Sequence, residues 1–175
     1  MPFPLDFTTE RLAAERLLPG HLEDIRRMHS EREQMAHLGG VRTDEQTDAY
    51  MVKNLRHWDE YGFGTWVLRE RSSGEVVGRA VLRHLVLEDA DETEVGYGFF
   101  TKWWGKGFAQ EITRACLAHA RERLGATSVV ALTSPDNLRS HNVLLKCGLL
   151  LEREIDYERG RHSLFRTAPG WAGAE

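Results

Sequence analysis

Between Phe99 and Glu111 the chain reads Phe-Phe-Thr-Lys-Trp-Trp-Gly-Lys-Gly-Phe-Ala-Gln-Glu. This composition suits holding an anion. Gly105 and Gly107 lack a Cβ, so the main chain can curl closely around a ligand. A helical pattern begins just after them. Its start would bring unpaired N–H groups and the positive end of a helix dipole to the same place. A pyrophosphate fits such a cradle; a helix that simply follows a flexible turn uses the same glycines. The stretch is not a P-loop, because no Gly-Lys-Ser/Thr follows a first glycine at the required distance. It is not G-x-G-x-x-G either, since Gln110 holds the third position.

A second segment, Asn137-Leu138-Arg139-Ser140-His141-Asn142-Val143-Leu144-Leu145-Lys146-Cys147-Gly148-Leu149, opens with a helix-capping residue and carries a hydroxyl one turn later. Together the two segments resemble the GNAT superfamily of N-acetyltransferases. Trp104 to Ala109 looks like that family's acyl-CoA pyrophosphate loop, Q/R-x-x-G-x-G/A, with Gly107 and Ala109 at the last two fixed positions and Trp104 where Gln or Arg is general. Trp-Gly-Lys-Gly-aromatic-Ala is the form found in one branch, the ribosomal-protein N-terminal acetyltransferases (RimJ/RimL-like). Residues 137–149 are similar to the same branch's N-x-x-S-x-x-v-l-x-K-x-G-F, with Leu149 in place of Phe. Thr9-Glu10-Arg11-Leu12 resembles its opening strand. The similarity covers most of residues 9–167.

The resemblance implies acetyl-CoA as acyl-donor co-substrate and a primary amine as acceptor, either a protein N-terminus or a small molecule. An acyl-CoA-binding module without turnover is the alternative. It further implies that Trp104, Gly105, Lys106, Gly107, Phe108 and Ala109 hold the pyrophosphate, largely through main-chain amides. Main-chain groups of Phe99 and Phe100 would pair with the pantetheine arm as an added strand would. Asn137 would contact the arm or an ordered water, and Ser140 would serve the departing thiolate, because Leu144 stands where many members have a Tyr. No metal is implied.

The amine must be uncharged to attack, and an alkylamine's pKa of about 10.4 lies far above neutral. A general base would help. Glu94 is the candidate, on the glycine side of the strand that feeds the cradle; His84, Asp91 and Glu92 stand in reserve. Each residue also has an ordinary structural role open to it. Asn137 can be only an N-cap, and Ser140 can bond back to its own helix. Glu94 can be a strand-edge carboxylate, and Lys106 an exposed loop lysine. Trp58, Tyr61 and Trp66 could line an acceptor pocket, though their spacing fits core packing.

The elements that must position these groups follow from periodicity. Residues 11–18 read as a strand and His21 to His29 as a short helix with Leu22, Ile25 and Met28 on one side. Thr43 and Gln46 form a capping-box pattern for a helix carrying Met51, Leu55 and Trp58, with Gly62 as its stop. A hairpin turns at Ser72-Ser73-Gly74 between residues 65–68 and 76–87. The acidic run 88–92 reads as a loop. In the strand 94–100, Val95, Tyr97 and Phe99 share one face, and Gly96 and Gly98 leave the other open. A helix over 107–124, a buried strand over 128–133, a helix over 137–147 and two strands within 149–167, joined near Glu158-Arg159-Gly160-Arg161, complete the order. The pattern predicts an α+β domain: a mixed, mostly antiparallel central sheet with helices on both faces. By resemblance, the strands 94–100 and 128–134 would be parallel and splayed apart.

The chain has 175 residues, enough for one domain over 1–175 with a sizeable core. A formal net charge of -4 gives no overall basic field for direct nucleic-acid binding. Cys116 and Cys147 form no C-x-x-C pair, so neither a zinc site nor a redox framework is expected, and each reads as a small helix-borne hydrophobe. Met1-Pro2-Phe3-Pro4 carries no signal-peptide pattern, and no run is long and apolar enough for a membrane. The expectation is a cytoplasmic monomer or homodimer.

Overall fold

Alternation along residues 76–99 sets the architecture. The computed structural model describes residues 3–158 and 160–173 of the chain. Here β4 (Val76–Leu87) and β5 (Ala90–Phe99) pair antiparallel in unbroken register, from Gly78↔Phe99 to Leu87↔Ala90. One face of this ribbon carries Ala80, Leu82, Val95, Tyr97 and Phe99; the other carries Arg79, Val81, Arg83, Glu94, Gly96 and Gly98.

The remaining strands extend the ribbon to eight. β1 (Phe7–Thr8), β2 (Leu12–Arg16) and β3 (Thr65–Glu70) lie on the β4 side; β6 (Val130–Thr133), β8 (Gly160–Thr167) and β7 (Leu149–Tyr157) lie on the β5 side, in the order β1-β2-β3-β4-β5-β6-β8-β7. Every neighbouring pair is antiparallel except β5 and β6. The mixed, mostly antiparallel α+β sheet is as expected.

Helices cover both faces. On the first, α4 (Phe108–Leu124) lays Phe108, Ile112 and Cys116 against the Val95 and Phe99 side, with the Phe99 and Phe108 rings 6.1 Å apart. α5 (Leu138–Lys146) lies beside it, tied by Arg114 Nη2 donating to the Lys146 carbonyl at 3.2 Å. On the second face sit α1 (Leu22–Ser30), α2 (Arg32–Met35) and α3 (Asp44–Tyr61). The capping box forms as expected: the Gln46 N–H donates to Thr43 Oγ1 at 3.2 Å, and the Thr43 N–H donates to Gln46 Oε1 at 2.9 Å. Trp58 and Trp66 are almost fully buried and meet edge to face at 5.3 Å, so both belong to the core.

Three expectations need correction. The acidic run is not a loop: Ala90 to Glu92 belong to β5, and only Glu88 and Asp89 turn the chain. Both have positive φ, 49° and 65°, the geometry of a two-residue hairpin turn whose twist matches the strands. The first strand shortens to Leu12–Arg16, and the two-residue β1 and the one-turn α2 were not foreseen, being too short to show a period. The face beside Gly98 is not open, because a Cβ there would meet Gln34 Nε2 of α2 at 3.2 Å. The 149–167 hairpin turns where expected, but Arg159 of its joint lies outside the described residues, as do Met1 and Pro2. Among the described residues no helix is long and apolar enough to cross a membrane.

Candidate active site

The loop between β5 and α4 has the expected form. Gly105 and Gly107 take φ values of 74° and 81°, a region that L side chains avoid. A Cβ on Gly105 would meet nothing within 4 Å, so no protein atom crowds that position. Glu111 is the first residue of α4 whose N–H finds an intrahelical acceptor, the Gly107 carbonyl at 3.1 Å. The amides ahead of it, at the positive end of a 17-residue helix, are left for a ligand.

Arg11, just ahead of β2, clamps this loop. Its guanidinium donates to the Lys106 carbonyl at 2.8 Å and to Glu111 Oε2 at 2.7 Å, and lies 4.7 Å from the centre of the Phe108 ring. The Arg11 N–H also donates to Glu111 Oε1, at 2.8 Å. Burial works to raise the Glu111 pKa, but bonds from Thr9 and Arg11 hold it below the usual carboxylate range. Trp104 faces inward: its indole N–H donates to the Phe99 carbonyl at 2.8 Å, and Arg139 of α5 stacks on its ring at 4.6 Å. Lys106 Nζ lies over the Trp103 ring at 4.6 Å.

Beyond the loop the sheet opens. β5 and β6 share one ladder position, Glu94↔Val130, and form no further pair toward Phe99 and Thr133. The gap widens toward the amide-lined loop. N–H and C=O of one strand residue point the same way and alternate along the chain. The Phe100 N–H donates to the Val77 carbonyl at 3.0 Å, and its C=O accepts from the Trp103 N–H at 2.9 Å. Of the two residues expected to meet an extended ligand, Phe100 is therefore committed elsewhere, and Phe99 turns its main chain to the gap with its carbonyl already accepting from the Trp104 indole.

Tyr97 of β5 and Ser140 of α5 reach toward each other across this opening, with 3.0 Å between their hydroxyl oxygens. Asn137 caps α5, its Oδ1 accepting from the Ser140 N–H at 3.2 Å. Ser140 thus bonds to Tyr97 and not back to its own helix. Burial pushes the Tyr97 phenol up to about 12, although the Ser140 bond works the other way, so it stays protonated at any working pH. Leu144 is buried in the core, 2% exposed. The phenol near Ser140 therefore comes from the sheet instead of from α5.

Glu94 lies at the apex of the gap but points to the opposite face from Tyr97. It is buried, and one of its oxygens is paired with Arg83 Nε. Burial works to lower the Arg83 pKa, yet the charge and hydrogen bond of Glu94 leave it raised. Of the reserve residues, Glu92 is engaged by both terminal nitrogens of Arg166, at 3.0 and 2.8 Å. His84 Nε2 lies 2.8 Å from Asp91 Oδ1, and its ring stacks on Tyr61 at 4.8 Å. His57 bonds the Phe63 carbonyl through Nδ1 at 2.8 Å and accepts the His84 N–H on Nε2 at 3.0 Å. That fixes it as the neutral Nδ1–H tautomer, and burial lowers its pKa. A cleft of about 650 Å³ between α3 and β4 is lined by His57, Tyr61, Arg83 and His84, with Tyr157 closing one side.

The structure brings part of the predicted set near the loop and the β5–β6 opening, while Phe100 turns to Val77 and Glu94 lies on the opposite face. Trp104 to Ala109 make the loop, Phe99 its approach, Asn137 and Ser140 the far wall, and Glu94 the apex from behind. Arg11 and Tyr97 were passed over. Each acts across more than forty residues of chain. Their only local signals are a cation ahead of an opening strand and a phenol in step with Phe99.

The profile of the acetyltransferase (GNAT) domain matches residues 11–150. An uncharacterized Bacillus subtilis protein, YkkB, is 30% identical over 121 residues, 69% of this chain and 70% of that protein. The FsC-acetyl coenzyme A-N(2)-transacetylase of Aspergillus fumigatus is 37% identical over 94 residues, 50% of this chain but only 39% of its own length. A GnaT-family acetyltransferase structure from Bordetella pertussis superposes with a TM-score of 0.82 at 24% identity, covering 94% of this chain and all of that one. The open amide loop and clear Gly105 fit the co-substrate such enzymes use. The chain belongs to the GNAT acetyltransferase domain family and is an acyl-CoA-dependent acetyltransferase with acetyl-CoA as its donor.

Proposed function

We propose that this enzyme N-acetylates a primary amine, with Ser140 and Tyr97 serving the sulfur side of the reaction and Glu94 the amine side. The observation that carries the reading is the single-rung β5–β6 junction, which opens between the amide loop and the Ser140–Tyr97 pair. Acetyl-CoA, when bound, supplies an activated acyl carbon and a thiolate leaving group. Gly105, Lys106, Gly107, Phe108 and Ala109 would hold its pyrophosphate with main-chain amides, backed by Trp104. Phe99 would align the arm, and Asn137 would keep Ser140 in place.

The Tyr97 phenol, at about 12, is a weaker acid than an ordinary thiol near 8.5. Tyr97 and Ser140 therefore act by donating hydrogen bonds to negative charge growing on sulfur, without surrendering a proton. On the other face, the Glu94 oxygen that Arg83 does not hold takes the amine's proton, directly or through a water. Arg83 fixes the carboxylate's direction.

Two acceptor classes have support. The Trp-Gly-Lys-Gly-Phe-Ala and Asn-x-x-Ser segments resemble the ribosomal-protein branch, which favours a protein N-terminus. The cleft of about 650 Å³ lies in the size range of small-molecule sites. The reading also takes residues 1–175 as one cytoplasmic domain, monomer or homodimer, a state that sedimentation would settle. The functional test is thiol release from acetyl-CoA with a panel of peptides and small amines. Release that falls in Ser140→Ala while coenzyme A still binds supports the reading. Tight binding without release across the panel would leave a binding module instead.

A further inference from the structure

On the acceptor-side face of the sheet, several buried polar atoms point at one another without partners. The rings of His29 and Tyr50 meet edge to face at 4.7 Å. Arg42 and Arg79 both lie over the Tyr50 ring, their guanidinium carbons 5.1 and 5.4 Å from its centre. A Cβ built on Gly98 would stand 3.2 Å from Gln34 Nε2 and 3.9 Å from Arg79 Nε, so these two flank the same glycine. His29, Gln34 and Arg79 are 0%, 5% and 8% exposed. Yet among the described residues His29 Nε2, both polar atoms of the Gln34 amide, Tyr50 Oη and Arg79 Nε have no hydrogen-bond partner. Buried polar groups are seldom left so, and each costs free energy until something satisfies it.

The charge is equally unbalanced. Among the described residues neither Arg42 nor Arg79 has a carboxylate within ion-pair reach. The acids facing them are spoken for or stand off: Glu94 is held by Arg83, and Glu158 acts on Arg42 only at a distance. Burial, and then the Arg79 charge, lowers the Arg42 pKa. The same burial and the two cations push His29 down to about 3, so it stays neutral. Two cations, an amide, a phenol and a neutral imidazole are what a carboxylate needs: charge plus several donors.

We infer that Arg42 and Arg79, with Gln34 and Tyr50, form a subsite for a carboxylate carried by the acceptor amine. This deepens the proposed N-acetylation and rests on it for the amine. The site lies on the Glu94 face of the strand, one alternate position past Gly96, so the carboxylate and the attacking nitrogen approach from the same side. A polyamine would bring more positive charge to these two cations and should be a poor acceptor. The carboxylate can belong to a free amino acid or to an acidic residue at a peptide's start.

The test pairs acids with their neutral amides under acetyl-CoA: free amino acids of increasing amine-to-carboxylate spacing against their carboxamides, and peptides beginning with Asp or Glu against Asn or Gln. The expected result is a kcat/KM ratio of about 10- to 100-fold in favour of the acid within at least one arm, the arm identifying the source. Arg79→Met should collapse that ratio toward one, and Arg79→Lys should keep part of it. Since Arg79→Met removes one of two repelling buried charges, its Tm should not fall; a fall would move the test to Arg42→Met, at the less buried position. Ratios near one throughout, or turnover of polyamines above acids, overturn the subsite. Thermal stabilisation of the coenzyme A-loaded protein by the same acids is the second readout. Stabilisation lost in Arg79→Met, with no turnover of any amine, keeps the subsite and sinks the acetyl transfer. Neither stabilisation nor turnover sinks both.

Discussion

At the scale of single residues, the proposed chemistry divides between two faces of one strand. Tyr97 and Ser140 meet at 3.0 Å on one side of β5, and Glu94 stands on the other. Removing either hydroxyl deletes one donor to the departing sulfur. Ser140→Ala and Tyr97→Phe should each lower kcat by roughly 10- to 100-fold with little change in coenzyme A affinity. The double variant should lose less than the product of the two, since the pair acts as a unit; full multiplicativity in steady-state kinetics would refute the coupling. Glu94→Gln should lower kcat/KM at neutral pH by about 100-fold or more. Without a base the rate depends on amine that is already neutral, so activity should climb about tenfold per pH unit up to the amine's own pKa. A flat profile in the variant would clear Glu94 of that duty. Ser140 could be proposed from a local segment, Asn-x-x-Ser, and Glu94 from its alternation with Gly96 and Gly98 along one strand. Tyr97 could not, because its partner lies 43 residues away and only the packing of α5 onto the sheet brings them together.

At the scale of elements, what decides function is how the loop after β5 is held open. Gly107 keeps a φ of 81°, and a Cβ there would also meet Arg11 Nη2 at 3.4 Å. Gly107→Ala should cost about 1–2 kcal/mol of backbone strain and weaken coenzyme A binding by about tenfold, measured by titration calorimetry. Arg11→Ala removes bonds to Lys106 and Glu111 at a half-exposed site, worth about 1 kcal/mol after allowance for solvent. In a domain of this size that lowers Tm by about 2–4 °C, and coenzyme A binding should weaken alongside. Helices with marked ends were legible: Thr43, Gln46 and Gly62 delimit α3 as the pattern required. The acidic turn was misread because its charges resemble a solvated loop. What fixes it is the φ of Glu88 and Asp89, which the extended ladder imposes and no composition announces. Arg11 was likewise visible only as part of an opening strand, since its two contacts lie about a hundred residues downstream.

At the scale of the whole molecule, the neutral burial of His29 couples stability to acidity. Its folded pKa is about 3, against roughly 6.5 when exposed. The unfolded chain therefore takes up a proton that the folded one refuses between those values, and stability falls as pH drops through that window. The slope is at most about 1.4 kcal/mol per pH unit. Denaturant titrations between pH 6.5 and 5, above the range of most carboxylates, should show a steeper slope in the native chain than in His29→Gln, where His57 and His119, also lowered by burial, still contribute; equal slopes in both would place the titration elsewhere. The single rung joining β5 to β6 has a consequence on the same scale. Five strands stand on one side of it and three on the other, joined in the ladder at Glu94 and Val130 alone. On the proposed reading, the donor molecule threaded beside Phe99 would supply the seam that the polypeptide leaves unsewn. Amide exchange in 130–133 and 163–166 should slow on adding coenzyme A far more than in 65–82, making occupancy a mechanical brace for the C-terminal block as well as a step toward turnover.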